Sequence, residues 1–192
     1  MRSRLLKAGL LGIAAATLAA SSLMAVGGDD NDRGHDRDRG RFFVSADLIG
    51  YQEVPALSTT ARGHFRAWID TRANTITWKL SYDALEGAVT QSHVHFGQKS
   101  VNGGVSFFLC SNLGNGPAGT QACPTPPAEI SGVITADLVV GPGPTGTPPT
   151  GGQGIEAGSF GEIAAAIRDG VAYANVHSSK WPGGEIRGQL HD

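Results

Sequence analysis

The chain has little of what the common enzyme classes need. Only two of its 192 residues are cysteine. No glycine-rich phosphate loop, no Gly-x-Ser-x-Gly elbow and no dinucleotide fingerprint occurs. Basic residues are not in excess: 15 Lys and Arg stand against 17 Asp and Glu, so the electrostatic footprint of a nucleic-acid binder is missing. Spacing alone places no pair of carboxylates for glycosidase chemistry. The apolar run near the N-terminus, Leu10 to Ala20, is short for a span of about 20 residues, and no cysteine follows it to take a lipid anchor.

What is present at the N-terminus is the layout of a secretory signal peptide. Arg2, Arg4 and Lys7 precede the apolar run, and small residues continue to Ala25. Residues 1–26 are expected to be the signal, with cleavage near Ala25 or Gly27. Without it the chain carries 12 basic against 17 acidic residues, a formal charge of −5. Residues 27–41 include DDNDRGHDRDRGR, which buries nothing apolar and reads as a disordered tether. Residues 42–192 suit one domain with one core. The expected address is secreted or periplasmic, with no membrane span after cleavage.

In that compartment an even cysteine count favours a Cys110–Cys123 disulfide across a glycine- and proline-rich loop. A loop of that size contributes about 3 kcal/mol by the chain-entropy estimate. The rival reading, two thiolate metal ligands, lacks a zinc-finger spacing.

Period-two runs dominate the domain. Val44, Ala46 and Leu48 share one face, as do Phe65, Ala67 and Ile69, and then Ile76, Trp78, Leu80 and Tyr82. Thr71–Asn74 reads as a hairpin turn between the second and third runs. Further strands are expected in SHVHFG, VSFFLC, EISGVITADLV with a strand at Val133–Val140, GVAYANVH and GEIRGQL. One helix is expected in GSFGEIAAAIRDG, with Ser159 and Glu162 as a capping box and Gly170 as its left-handed terminator. The Gly141–Gly154 stretch reads as a long mobile loop. The fold class is therefore all-β: an antiparallel, Greek-key-like sandwich or barrel, with one short helix before the penultimate strand.

The closing stretch AYANVHSSKWPGGEIRGQL, together with ADLIGYQEVPALSTTARGHFRAWID and SHVHFG, resembles the CHRD domain, the module repeated in chordin. The likeness runs from about Phe43 to Leu190, with Ser92 where that family usually has alanine. It implies an extracytoplasmic β domain, which in microbes usually stands alone behind a signal peptide. Growth-factor binding, a property of the whole animal protein and its cysteine-rich modules, is not implied. SHVHFG also resembles a short piece of copper–zinc superoxide dismutases. That family's zinc loop and C-terminal arginine segment are missing, so dismutase activity is not expected.

Residues two apart in a strand point the same way, so His93 and His95 share a face. On the next such strand Tyr173, Asn175 and His177 share one, and on the last Glu185, Arg187 and Gln189 do. Three imidazoles suit copper or zinc and leave an open position, with Glu185 as a fourth ligand or an acceptor for an imidazole N–H. The competing reading is a metal-free polar network in which Glu53, Asn175 and Arg187 hold the histidines, Glu53 or Glu185 acting as partner to Arg187. His64 reads as a surface strand residue, His35 as part of the tether and His191 as a frayed end. Trp181 is expected to pack over the Trp-Pro-Gly-Gly turn. The leading expectation is a non-enzymatic exported binding or structural module, with His93, His95 and His177 as candidate ligands for a mononuclear copper or zinc ion and the metal-free network as the weightier reading of the same residues. A metal-dependent redox enzyme using the same histidines, and a metal-free module binding an extracellular protein, remain the alternatives.

Overall fold

The computed structural model describes residues 40–141 and 152–192. The expected signal peptide, His35, most of the tether and most of the Gly141–Gly154 loop lie outside the described residues.

Eight strands are found among the described residues: β1 (Arg41–Ile49), β2 (Arg62–Asp70), β3 (Thr75–Asp83), β4 (Val89–Phe96), β5 (Gly104–Ser111), β6 (Ala128–Ile134), β7 (Ala172–Ser178) and β8 (Ile186–Gln189). One helix, α1 (Phe160–Arg168), precedes β7. All pairings are antiparallel, in the order β5-β4-β7-β8-β1-β2-β3-β6. The sheet curls into a nearly closed barrel whose outermost strands, β5 and β6, approach each other. Gln121 stitches that seam, its Nε2 donating to Leu109 O on β5 and Ser131 O on β6 at 3.3 and 3.1 Å. Beside it the Cys110–Cys123 disulfide forms, with Cα atoms 5.1 Å apart.

The alternation predicted for the first three strands is the observed core. Val44, Ala46, Leu48, Phe65, Ala67, Ile69, Ile76, Trp78, Leu80 and Tyr82 are all buried. Each fully buried Leu, Ile or Phe contributes roughly 1.5–3 kcal/mol of transfer free energy. Asp70 Oδ1 accepts from Arg72 N and Ala73 N to form the Thr71–Asn74 turn. Ile163, Ala166 and Ile167 join the barrel core from α1. Gly170, at φ +69°, ends this helix: Gly170 N donates to Ile167 O and Val171 N to Ala166 O, the paired bonds of a Schellman turn.

Four local expectations need correcting. The predicted Val133–Val140 strand stops at Ile134, and Ala136–Leu138 forms a single 3-10 turn instead. Thr135 Oγ1 donates to Asp137 there, a local side-chain bond that competes with continued pairing. Ser159 is the N-cap residue, but its side chain caps nothing, so no capping box forms. His191 is not frayed: its backbone bridges to Ser45 in both directions, at 2.8 and 3.1 Å. Strand β1 begins at Arg41, given above to the tether, and this residue pairs with Asp70.

Candidate metal centre

Register fixes the outer face of β5-β4-β7-β8. His93 stands opposite Phe108 on one side and Asn175 on the other, and Asn175 stands opposite Arg187. His95 pairs with Tyr173, and Gln91 with His177. The β4–β5 ladder shifts between Ser92 and His93 and again between Val94 and His95. The two irregularities add Leu109 and Ser106 to β5, the local re-aiming of side chains that bulges produce beside sites.

A polar outer face would ordinarily be wet, yet His93, His95, Asn175, His177, Glu185 and Arg187 are all buried. Three connections cover them. From the β4–β5 connection, Gln98 O and Val101 O accept from Arg187 Nη2, and Asn102 Oδ1 from Nη1. The β1–β2 connection supplies Glu53 and Thr59, and Asn102 Nδ2 ties it to the first connection through Val54 O. The β7–β8 turn supplies Pro182 and Glu185.

Under this cover the three imidazoles converge. Ring centroids lie 5.4 Å apart for His93 and His95, 5.1 Å for His93 and His177, and 6.4 Å for His95 and His177. One ligand nitrogen from each lies within 4.8 Å of the others. His177 Nδ1–H donates to Pro182 O at 2.8 Å, which leaves Nε2 as the lone pair, buried and without a partner. Both nitrogens of His93 are buried and without a partner. His95 differs. Its Nδ1 lies 3.0 Å from Gly103 O and its Nε2 3.1 Å from Asn175 Oδ1. A neutral imidazole has one N–H, so only one contact is its own donation; turning the Asn175 amide lets the NH2 group donate to the other nitrogen.

Burial holds the triad neutral. His93 is pushed down to about 2, by desolvation first and then by the neighbouring His177 and His95. His95 is pushed down to about 4, desolvation outweighing its bond to Gly103 O. Desolvation also lowers His177, against its bond to Pro182 O. Phe108 walls the triad edge-on, 4.4 Å from the His93 ring, and Tyr173 stacks on His95 at 4.7 Å. The Arg187 guanidinium lies 3.3 Å from the Tyr173 ring centroid.

The remaining predicted residues divide around this centre. Glu185 is not in the converging group: its Oε1 accepts from Thr59 Oγ1 and Glu86 N at 2.9 and 2.8 Å. Glu53 and Arg187 act on each other electrostatically, and Glu53 rises to about 7 because its burial outweighs that attraction. Arg187 is held by neutral acceptors instead of by Glu185. His64 is a surface residue paired with Asp47 at 2.9 Å. Trp181 donates its indole N–H to Glu86 Oε2, in the β3–β4 connection, at 3.1 Å. Sequence reasoning missed the backbone acceptors Pro182 O and Gly103 O, which carry no side-chain signal. It also missed Phe108, whose facing depends on the irregular β4–β5 register.

A family model described as the CHRD domain matches residues 44–190. No curated protein and no solved structure matches the chain.

Proposed function

The chain belongs to the CHRD domain family, and from that premise we propose that it is an exported binding module that holds one copper or zinc ion on His93, His95 and His177. The observation that carries this reading is the buried convergence of three neutral imidazoles, two of which, His93 and His177, have ring nitrogens without a partner. A buried polar atom without a partner costs about 1–3 kcal/mol, and His93 has two such atoms while His177 has one. The His177 Nδ1–H bond to a backbone carbonyl is the arrangement that orients a metal-binding Nε2. An all-nitrogen donor set suits copper and zinc alike. Such an ion would supply Lewis acidity, or in the case of copper a redox couple, while Pro182 O and Gly103 O orient the rings and Phe108 and Tyr173 exclude water.

The disulfide and the N-terminal pattern support export into an oxidising compartment. Burial of all three rings favours retention of an ion over turnover of a substrate, so binding is preferred to the redox-enzyme reading. The metal-free network is favoured only by His95, whose two nitrogens both have neighbours within the protein.

Metal analysis of the full chain isolated from the periplasm or medium, beside a His93→Ala/His95→Ala variant, tests the site. About one equivalent of copper or zinc is expected in the parent and none in the variant. Equal, near-zero metal in both, unchanged after incubation with either ion, would sink the reading.

A further inference from the structure

Among the described residues two acids are buried, Glu53 and Glu185, and each has one carboxyl oxygen without a partner. Both belong to the cover over the triad. Glu53 packs onto the β7–β8 turn so tightly that a Cβ on Gly184 would lie 2.5 Å from its Oε1. Resting on the metal reading above, we infer that Glu53 is the charge-compensating acid of the histidine centre: it is protonated when the triad is empty and gives up that proton when a divalent cation enters.

Charge accounting under the cover leads to this assignment. Three neutral imidazoles bring no negative charge to a divalent ion. Arg187 is already a buried cation bound to neutral acceptors, Gln98 O, Val101 O and Asn102 Oδ1. A further double positive charge beside it is costly unless a carboxylate answers it. Glu185 has its Oε1 committed to Thr59 and Glu86 N. Glu53 is the acid with charge in reserve: it is buried with Oε1 unpartnered, it packs on the turn whose Pro182 O holds His177, and burial pushes its carboxyl up to about 7. Against its burial act Arg187 from β8 and a hydrogen bond from the Val54 backbone, and Glu53 in turn acts on Tyr173 from β7. The adjacent turn brings Glu185, and the β4–β5 connection brings the uncharged Asn102 bond to Val54 O. Arg187 also acts on His95, which links Glu53 electrostatically to the triad.

Cobalt(II) is the probe, titrated into chelator-stripped full chain and followed by its visible absorption. The parent is expected to bind about tenfold more weakly at pH 6 than at pH 8, the signature of one linked proton. Glu53→Gln should reduce that difference to less than about twofold. Calorimetry at pH 6.5, in buffers of different ionisation enthalpy, should count between one half and one proton released by the parent and none by the variant. Equal pH dependence in both proteins, or binding by the parent without proton release, overturns the assignment of Glu53 and leaves the metal site standing. Absence of cobalt binding by the parent at either pH removes the metal reading, and this inference with it.

Discussion

Replacing Glu53 by Gln in the metal-free protein should change stability in a strongly pH-dependent way. The side chain is buried, its Oε1 has no partner, and its carboxyl is raised from 4.5 to about 7. Below pH 4.5 the group is protonated whether the chain is folded or not. Between 4.5 and 7 only the folded chain holds the proton, so its contribution to stability declines as pH rises. Above 7 both states are ionised, and the folded state bears the whole cost of a buried carboxylate. At 1.36 kcal/mol per pH unit the full range is worth roughly 3 kcal/mol, of which about 2 to 3 falls between pH 5 and 8. Gln has the shape of the protonated acid without its titration. Urea unfolding in chelator at both pH values should find the variant better relative to the parent at pH 8 than at pH 5 by that amount. Comparing the two proteins cancels the histidines, which lose stability in the opposite direction. A pH-independent difference, or a variant that falls further behind at pH 8, would refute the placement of Glu53 as a buried acid whose desolvation outweighs the attraction of Arg187.

The metal-free parent should be acid-labile. His93 and His95 have folded values far below 6.5, so stability is lost as pH falls below 6.5, by up to about 1.4 kcal/mol per pH unit for each, ending near pH 4 for His95 and near 2 for His93; chelated unfolding curves between pH 7 and 5 check this. His93→Leu should leave metal-free stability unchanged or raise it by about 1 kcal/mol, because it removes two buried atoms without partners, while abolishing any rise in Tm on adding zinc. Gly184→Ala should cost about 2–4 kcal/mol in urea unfolding, since the residue sits at φ +127° and its new methyl would meet the Glu53 carboxyl. Reducing the Cys110–Cys123 bond, or replacing both cysteines by serine, should cost about 3 kcal/mol for a 13-residue separation; a loss below about 1 kcal/mol would refute the chain-entropy account.

Alternation along the chain made much of the fold legible. The core faces of β1, β2 and β3 follow directly from period two, because a strand with one side packed inward must place its apolar residues on that side. The same rule put His93 with His95, and Asn175 with His177. It failed where a local side-chain bond or a long-range partner took over. Thr135 and Asp137 end β6 earlier than hydropathy suggests. Ser45, distant in sequence, ties down His191.

The candidate site divides in the same way. The sequence by itself determined the strand faces and the histidines that share them, set by spacing over a few residues, and the two cysteines that join, set by their even count. Only the tertiary structure decided that the polar face is dry, because its cover comes from three connections far apart in the chain. Convergence of the rings depends on strand order and on the irregular β4–β5 register. Which nitrogens are free depends on Pro182 O, Gly103 O and Asn175. Glu185 was drawn away from the centre by Thr59 and Glu86 N, partners that no periodicity brings together. A side chain's direction is a local property of the strand, whereas its burial, tautomer and charge are set by whatever the fold lays over it.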